Sequence, residues 1–264
     1  MTHRDRTCTR RTVLNAVGAA GWALTPVACA RPQRDPAEQL DAARRGRLRF
    51  EPAAPESSGG EAGRLQLPGG EGAPAAELLA PPGEDPMRLV LVRHGAGGAA
   101  TRTISLLAPY AAQHRLLLLA VQSIRSTWDV IAGGYGPDVR NIDSLLQRVS
   151  ARYPINGYTI SGFSDGASYA LSLGLNNGDV FDSVVAFSPG FEASASRHGR
   201  PRFFISHGTG DQVLPIERCS RRLVPRLEDD GYEVTYAEFP GGHSVPPEIS
   251  RRAVAWLSAT QSEP

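Results

Sequence analysis

The stretch Tyr158-Thr159-Ile160-Ser161-Gly162-Phe163-Ser164-Asp165-Gly166-Ala167-Ser168 decides the fold. A short apolar run ends in Gly-x-Ser-x-Gly, and a run compatible with a helix, Ala167 to Leu175, follows directly. A serine at the apex of strand, sharp turn and helix is the context in which that motif carries chemistry. Gly162 and Gly166 relieve crowding around a strained backbone position at Ser164. The turn lifts the hydroxyl above the end of the sheet. It also aims the first N–H groups of the helix at whatever the serine attacks. Five residues are weak evidence alone, because glycine and serine are common. A serine nucleophile needs a base, an acid to orient that base and donors for the oxyanion, so the rest of the chain must supply them.

Three histidines follow Ser164: His198, His207 and His243. His243 stands in Pro240-Gly241-Gly242-His243-Ser244, after the last expected strand (Glu233 to Phe239) and before a closing helix (Pro247 to Leu257). Asp211 lies in His207-Gly208-Thr209-Gly210-Asp211, just beyond the strand expected from Arg202 to Ser206. Loops at the carboxyl ends of neighbouring parallel strands share one rim of a sheet, so Ser164, Asp211 and His243 can converge. The chain order Ser…Asp…His matches the α/β-hydrolase arrangement. Upstream, Arg88 to Val92 is a compact apolar strand running into Arg93-His94-Gly95-Ala96-Gly97-Gly98. That loop is placed to give the second oxyanion donor, Ala96 N–H, beside the N–H of Asp165.

With these residues in view, the chain from 86 to 258 resembles the phospholipase/carboxylesterase branch of the α/β-hydrolase superfamily. It is similar to exported esterases related to polyhydroxybutyrate depolymerases and feruloyl esterases. The resemblance rests on Val92 to Gly98, on Gly162-Phe163-Ser164-Asp165-Gly166, on His207 to Asp211 and on Gly241-Gly242-His243-Ser244-Val245-Pro246. It implies Ser164 as nucleophile, Asp211 as acid and His243 as base. Two residues depart from the branch: Asp165 stands where glutamine is common, and Arg93 where leucine is usual. The fold expected is α/β, a mostly parallel central sheet flanked by helices with no large cap domain. Only Ser188 to Pro201 occupies the place where lipases of this superfamily insert a lid, which leaves an open site suited to small or polymer-end esters. A thioesterase or peptidase of the same fold is the related alternative, and a non-catalytic binding lipoprotein the unrelated one.

The other polar and aromatic candidates have a bland reading beside the functional one. His94 braces the oxyanion loop or binds substrate. It has no partners at zinc spacing, so no metal is expected. Gly97 and Phe163 could touch substrate, and Trp128 and Tyr135 could line a pocket or simply pack. His207 is expected to position the Asp211 loop and His198 to face solvent. Asp138 reads as the cap of the helix running to Tyr153. Cys219 shares a helical stripe with Ile216, Leu223 and Leu227 and reads as a buried structural thiol.

The ends and the composition set the frame. Residues 1–30 read as an export signal: Thr9-Arg10-Arg11-Thr12-Val13-Leu14 resembles a twin-arginine signal, and Ala28-Cys29-Ala30 offers a cleavage site. A lipid anchor at Cys29 is the competing reading. Residues 31–45 read as a tether and 46–260 as the hydrolase domain. Arg47 to Phe50, Arg64 to Leu67 and Ala76 to Ala80 read as edge strands. Thr101 to Gln113 has helical spacing that Pro109 must distort. The formal net charge of +1 over 264 residues argues against a nucleic-acid surface. No cofactor and no transmembrane helix in the mature form are expected, and the oligomeric state is left open.

Overall fold

Apolar runs give eight strands: β1 (Gly63–Leu67), β2 (Ala76–Ala80), β3 (Met87–Arg93), β4 (Leu116–Val121), β5 (Ile155–Phe163), β6 (Ser183–Phe187), β7 (Arg202–Gly208) and β8 (Val234–Phe239). The computed structural model describes residues 36–55 and 59–259. The strands form one sheet in the order β1-β2-β4-β3-β5-β6-β7-β8. β1 and β2 are antiparallel to their neighbours, and the ladder from β4 to β8 is parallel throughout.

Strand periodicity sorts the core into two layers, because successive side chains point to opposite faces. Leu89, Leu91, Leu117 and Leu119 join α3 (Pro137–Ser150), α4 (Asp165–Asn176) and α5 (Ser220–Asp229) on one face. Val90, Val92, Leu116 and Leu118 meet α2 (Ala100–Thr103) and α6 (Pro247–Ala259) on the other. Both faces of β3 and β4 are covered, which is why these strands read as unbroken apolar runs. Helix layers on both faces make the α/β architecture expected from the sequence, and no large cap is present among the described residues.

Several local expectations are corrected. Residues 31–45 are not a tether throughout: Pro36–Arg44 forms α1, whose Ala43 is buried in the α3 layer. Arg47 to Phe50 is not an edge strand. Its N–H groups bond side chains instead, Leu48 to Asn177 Oδ1 at 2.8 Å and Phe50 to Asp143 Oδ1 at 2.7 Å, which anchors irregular backbone without a ladder. The expected helix from Thr101 breaks into α2 and two 3₁₀ turns, Ile104–Leu106 and Ala108–Tyr110. Pro109 cannot donate to the fourth carbonyl back, so a tighter turn takes over. The expected export signal, its cleavage site and Cys29 lie outside the described residues.

Candidate active site

The centre of the site is a backbone conformation. Ser164 sits at φ 58° and ψ −121°, between the end of β5 and the start of α4. That region is costly for a residue with a side chain, of the order of 1–3 kcal/mol, so neighbours must enforce it. They do so on both sides. The Ser164 N–H donates to Phe187 O at the end of β6 at 2.9 Å, and Ser164 O accepts from Ala167 and Ser168 at 2.9 and 3.0 Å. Gly162 and Gly166 are required by contact rather than by φ. A Cβ on Gly162 would stand 2.2 Å from Gly166 O, and one on Gly166 would stand 2.5 Å from both Arg93 O and His94 O.

The structure brings Ser164, His243 and Asp211 into one hydrogen-bonded chain. His243 Nε2 is 2.8 Å from Ser164 Oγ, and His243 Nδ1 is 2.6 Å from Asp211 Oδ2. Asp211 follows β7 and His243 follows β8, and the parallel register that pairs Gly208 with Phe239 sets both loops on one rim. Backbone bonds then zip the loops together: Thr209 N–H to Phe239 O at 2.9 Å and Gly210 N–H to Gly241 O at 2.8 Å.

Asp211 is fully engaged. Its Oδ1 accepts the Val213 and Leu214 N–H groups at 2.9 and 2.8 Å, while Oδ2 faces His243 and lies 3.3 Å from His207 Nε2. Burial works to raise its pKa, but the bonds from His243, Leu214 and Val213 outweigh burial and hold it below the usual carboxylate value. An ionised Asp211 accepts a hydrogen bond from the Nδ1–H of His243, which leaves the Nε2 lone pair aimed at the serine. His207 sits behind, donating from Nε2 to Leu214 O at 2.8 Å and accepting from Ser220 Oγ at Nδ1 at 2.7 Å. Burial lowers its pKa, so the ring is neutral and structural. His198 is exposed.

The loop from His94 to Gly98 lies directly against the serine, since a Cβ on Gly95 would be 3.0 Å from Ser164 Cβ. Its shape is fixed by a neutral His94. Nδ1 donates to Gly95 O at 2.7 Å, and Nε2 accepts the Ser123 N–H at 3.0 Å, with Gln122 Nε2 at 2.9 Å. Burial lowers the His94 pKa, consistent with that tautomer. Gly97 N–H donates to Ser126 O at 2.7 Å. The Ala96 and Asp165 N–H groups have no protein acceptor among the described residues.

Trp128 is a support, not a pocket wall. It is fully buried and donates from Nε1 to His94 O at 2.8 Å. Its ring stacks on Tyr169 of α4 at 4.9 Å, and Arg93 lies 5.6 Å from the other end of that column, over the Tyr169 ring. Arg93 is wholly buried, donates to Ser161 O at 3.1 Å, and desolvation brings its guanidinium down to about 9 against the pull of Tyr169. The column joins the His94 loop to the helix that begins at the serine. Replacing Trp128 by Phe keeps the ring but removes the donor to His94 O, a buried bond whose loss costs roughly 1–3 kcal/mol. The variant is expected to melt lower by several degrees and to lose kcat with KM nearly unchanged, as read by thermal unfolding and steady-state kinetics.

Of the remaining candidates, Asp138 is the one that departs from the sequence reading. The Phe163 ring packs at a tilt of 36° against the His243 ring, centroids 4.8 Å apart, so it borders that histidine. Tyr135 is half-buried and donates from its hydroxyl to Ala193 O at 2.9 Å. Asp138 does not cap its own helix. Its carboxylate accepts the Ile124 and Asp129 N–H groups, while Asp129 Oδ2 accepts those of Gly136 and Asp138 and so caps α3 from outside. Cys219 is buried, and burial raises its thiol pKa. The Asp165 carboxylate, in the first turn of α4, has a definite partner. It accepts from Thr127 Oγ1 at 2.6 Å, tying the first turn of α4 to the Trp128 loop.

The family model described as "Putative esterase" matches residues 141–223. No curated protein matches the sequence. Among solved structures, the S-formylglutathione hydrolase FrmB of Staphylococcus aureus is 15% identical with a TM-score of 0.61, covering 78% of this chain and 99% of its own. Esterase PE8 is 22% identical with a TM-score of 0.58, covering 73% and 98%. A phospholipase/carboxylesterase from Dyadobacter fermentans is 20% identical with a TM-score of 0.53, covering 74% and 97%. The sheet order, the strained serine turn and these likenesses together identify the chain as having the α/β-hydrolase fold.

Proposed function

We propose that this protein is a serine hydrolase of carboxylic esters, working through Ser164, His243 and Asp211. The observation that carries the reading is the hydrogen-bonded chain from Ser164 Oγ through His243 to Asp211, at 2.8 and 2.6 Å. Ser164 Oγ attacks the ester carbonyl as His243 Nε2 takes its proton, and Asp211 steadies the imidazolium that forms. The Asp165 and Ala96 N–H groups hold the oxyanion. On collapse the alcohol leaves with the proton from His243. Water then attacks the acyl-enzyme with His243 again as base, and the acid departs.

Short esters fit this reading best. Ser188 to Pro201 is the segment at the lid position and carries no helix. Val213, 66% exposed beside Asp211, offers an apolar surface at the rim. Purified protein is expected to cleave p-nitrophenyl acetate and butyrate with a pre-steady-state burst of nitrophenol. Faster cleavage of long-chain triglyceride emulsions than of these soluble esters would reject the short-ester reading.

A further inference from the structure

A cleft of about 580 Å³ lies between α5 and the loop that follows β6. That is within the range of roughly 300–1,000 Å³ typical of small-molecule sites. Leu223 and Leu227 contribute apolar surface from α5, and Gly190 and Phe191 line it from the loop. Along the helix side run Arg218, Arg222 and Arg226. Arg222 and Arg226, four apart on α5, share one face of that helix, and Arg218 lies on the 3₁₀ turn Ile216–Arg218 just before it.

None of these three arginines forms an ion pair among the described residues. Arg221, on the same helix, is paired with both Glu217 and Glu238. Like charges four apart destabilise a helix, so the row costs stability with no return from within the fold. The remaining charges of the lining are accounted for. Arg197 is held by Glu192 and Asp230, which leaves Asp229 as the one other carboxylate of the lining beside the three arginines. With Glu192 and Asp230 engaged by Arg197 and a net chain charge of +1, the three arginines make a local positive patch and not part of a broad basic surface.

The cleft also adjoins the serine site. The Gly190 and Phe191 N–H groups donate to Ser168 Oγ at 2.9 and 3.4 Å, and the Ser168 N–H donates to Ser164 O. Leu214, whose N–H bonds Asp211, packs against Gly190, where a Cβ would meet its side chain at 3.1 Å. Ser168 and Leu214 therefore link the Gly190 side of the cleft to Ser164 and Asp211.

We infer that the arginine-lined cleft binds the acidic end of an ester substrate whose apolar chain reaches over Leu214 to Ser164. The inference rests on the ester-hydrolase reading and adds a substrate class to it: esters carrying a carboxylate at the end of a chain. Arginine holds a carboxylate by two parallel charge-assisted hydrogen bonds, and the leucine floor takes the methylenes.

The test uses p-nitrophenyl half-esters of succinate, adipate, sebacate and dodecanedioate, each beside its methyl-capped neutral counterpart. At one of the longer lengths, kcat/KM for the acid is expected to exceed that of the neutral ester about tenfold at low salt. Such a ratio corresponds to about 1.4 kcal/mol. The advantage should shrink as salt rises. It should vanish in Arg218→Gln/Arg222→Gln, which leaves the neutral esters unaffected. Equal rates for acid and neutral esters at every length, or an advantage that survives in the double variant, would overturn the inference. If neither series is cleaved, the hydrolase reading has failed, and calorimetric titration with sebacate decides the cleft. One-to-one binding lost in the double variant would support it, and no binding to wild type would end it.

Discussion

Asp211→Asn is expected to lower kcat about ten-thousandfold while the protein stays folded and KM changes little. The size of the effect follows from where the carboxylate oxygens point. Oδ1 receives two backbone N–H groups, from Val213 and Leu214. An asparagine must therefore set its carbonyl oxygen there and turn its NH₂ toward His243. The NH₂ donates to Nδ1, so the His243 proton moves to Nε2 and faces Ser164 Oγ. A ring that presents N–H to the serine cannot accept its proton. Steady-state kinetics with p-nitrophenyl butyrate would read the loss. A drop of tenfold or less would mean that His243 does not depend on Asp211 for its tautomer.

Gly166→Ala should do comparable damage by a different route. The added methyl would lie 2.5 Å from the carbonyl oxygens of Arg93 and His94, and these are backbone atoms at the fixed end of β3. Neither can swing aside as a flexible side chain would. Overpacking of this kind costs typically about 1–3 kcal/mol, and relief means parting α4 from the His94 loop. Because the Ala96 and Asp165 N–H groups sit on those two elements, activity should fall far more than stability. Thermal unfolding is expected to drop by several degrees, and kcat by a hundredfold or more, as when one oxyanion donor is lost. Gly70→Ala is the control: its nearest contact would be Asn141 Oδ1 at 3.6 Å, and both readings should stay near wild type. Equal behaviour of the two variants would show that the approach of α4 to β3 is not what holds the site.

These two variants also mark what the sequence could carry. Local grammar was legible: alternating or continuous apolar runs gave the strands, and Gly-x-Ser-x-Gly between a strand and a helix located the turn at Ser164. The juxtaposition of Ser164, Asp211 and His243 could be expected because parallel strands deliver their following loops to one rim. What could not be read depends on partners far apart in the chain. Thr127 meets Asp165 across 38 residues, and Trp128 reaches back to His94 O across 34. An indole in a long loop reads equally as pocket or packing, and only the column of Trp128, Tyr169 and Arg93 decides it. Arg47 to Phe50 misled for a related reason. Its alternation is that of a strand, yet Asn177 and Asp143 supply the acceptors a neighbouring strand would have given. The arginine set along the cleft carries no motif at all and becomes visible only once the cleft is formed around it.

The central claim is that Ser164 is a nucleophile activated by His243. Incubation with a fluorophosphonate probe, followed by intact mass and peptide mapping, tests it most directly. The predicted result is one adduct per chain, on Ser164, absent from Ser164→Ala. A wild-type protein that takes no label, or a Ser164→Ala variant that still does, would contradict the account.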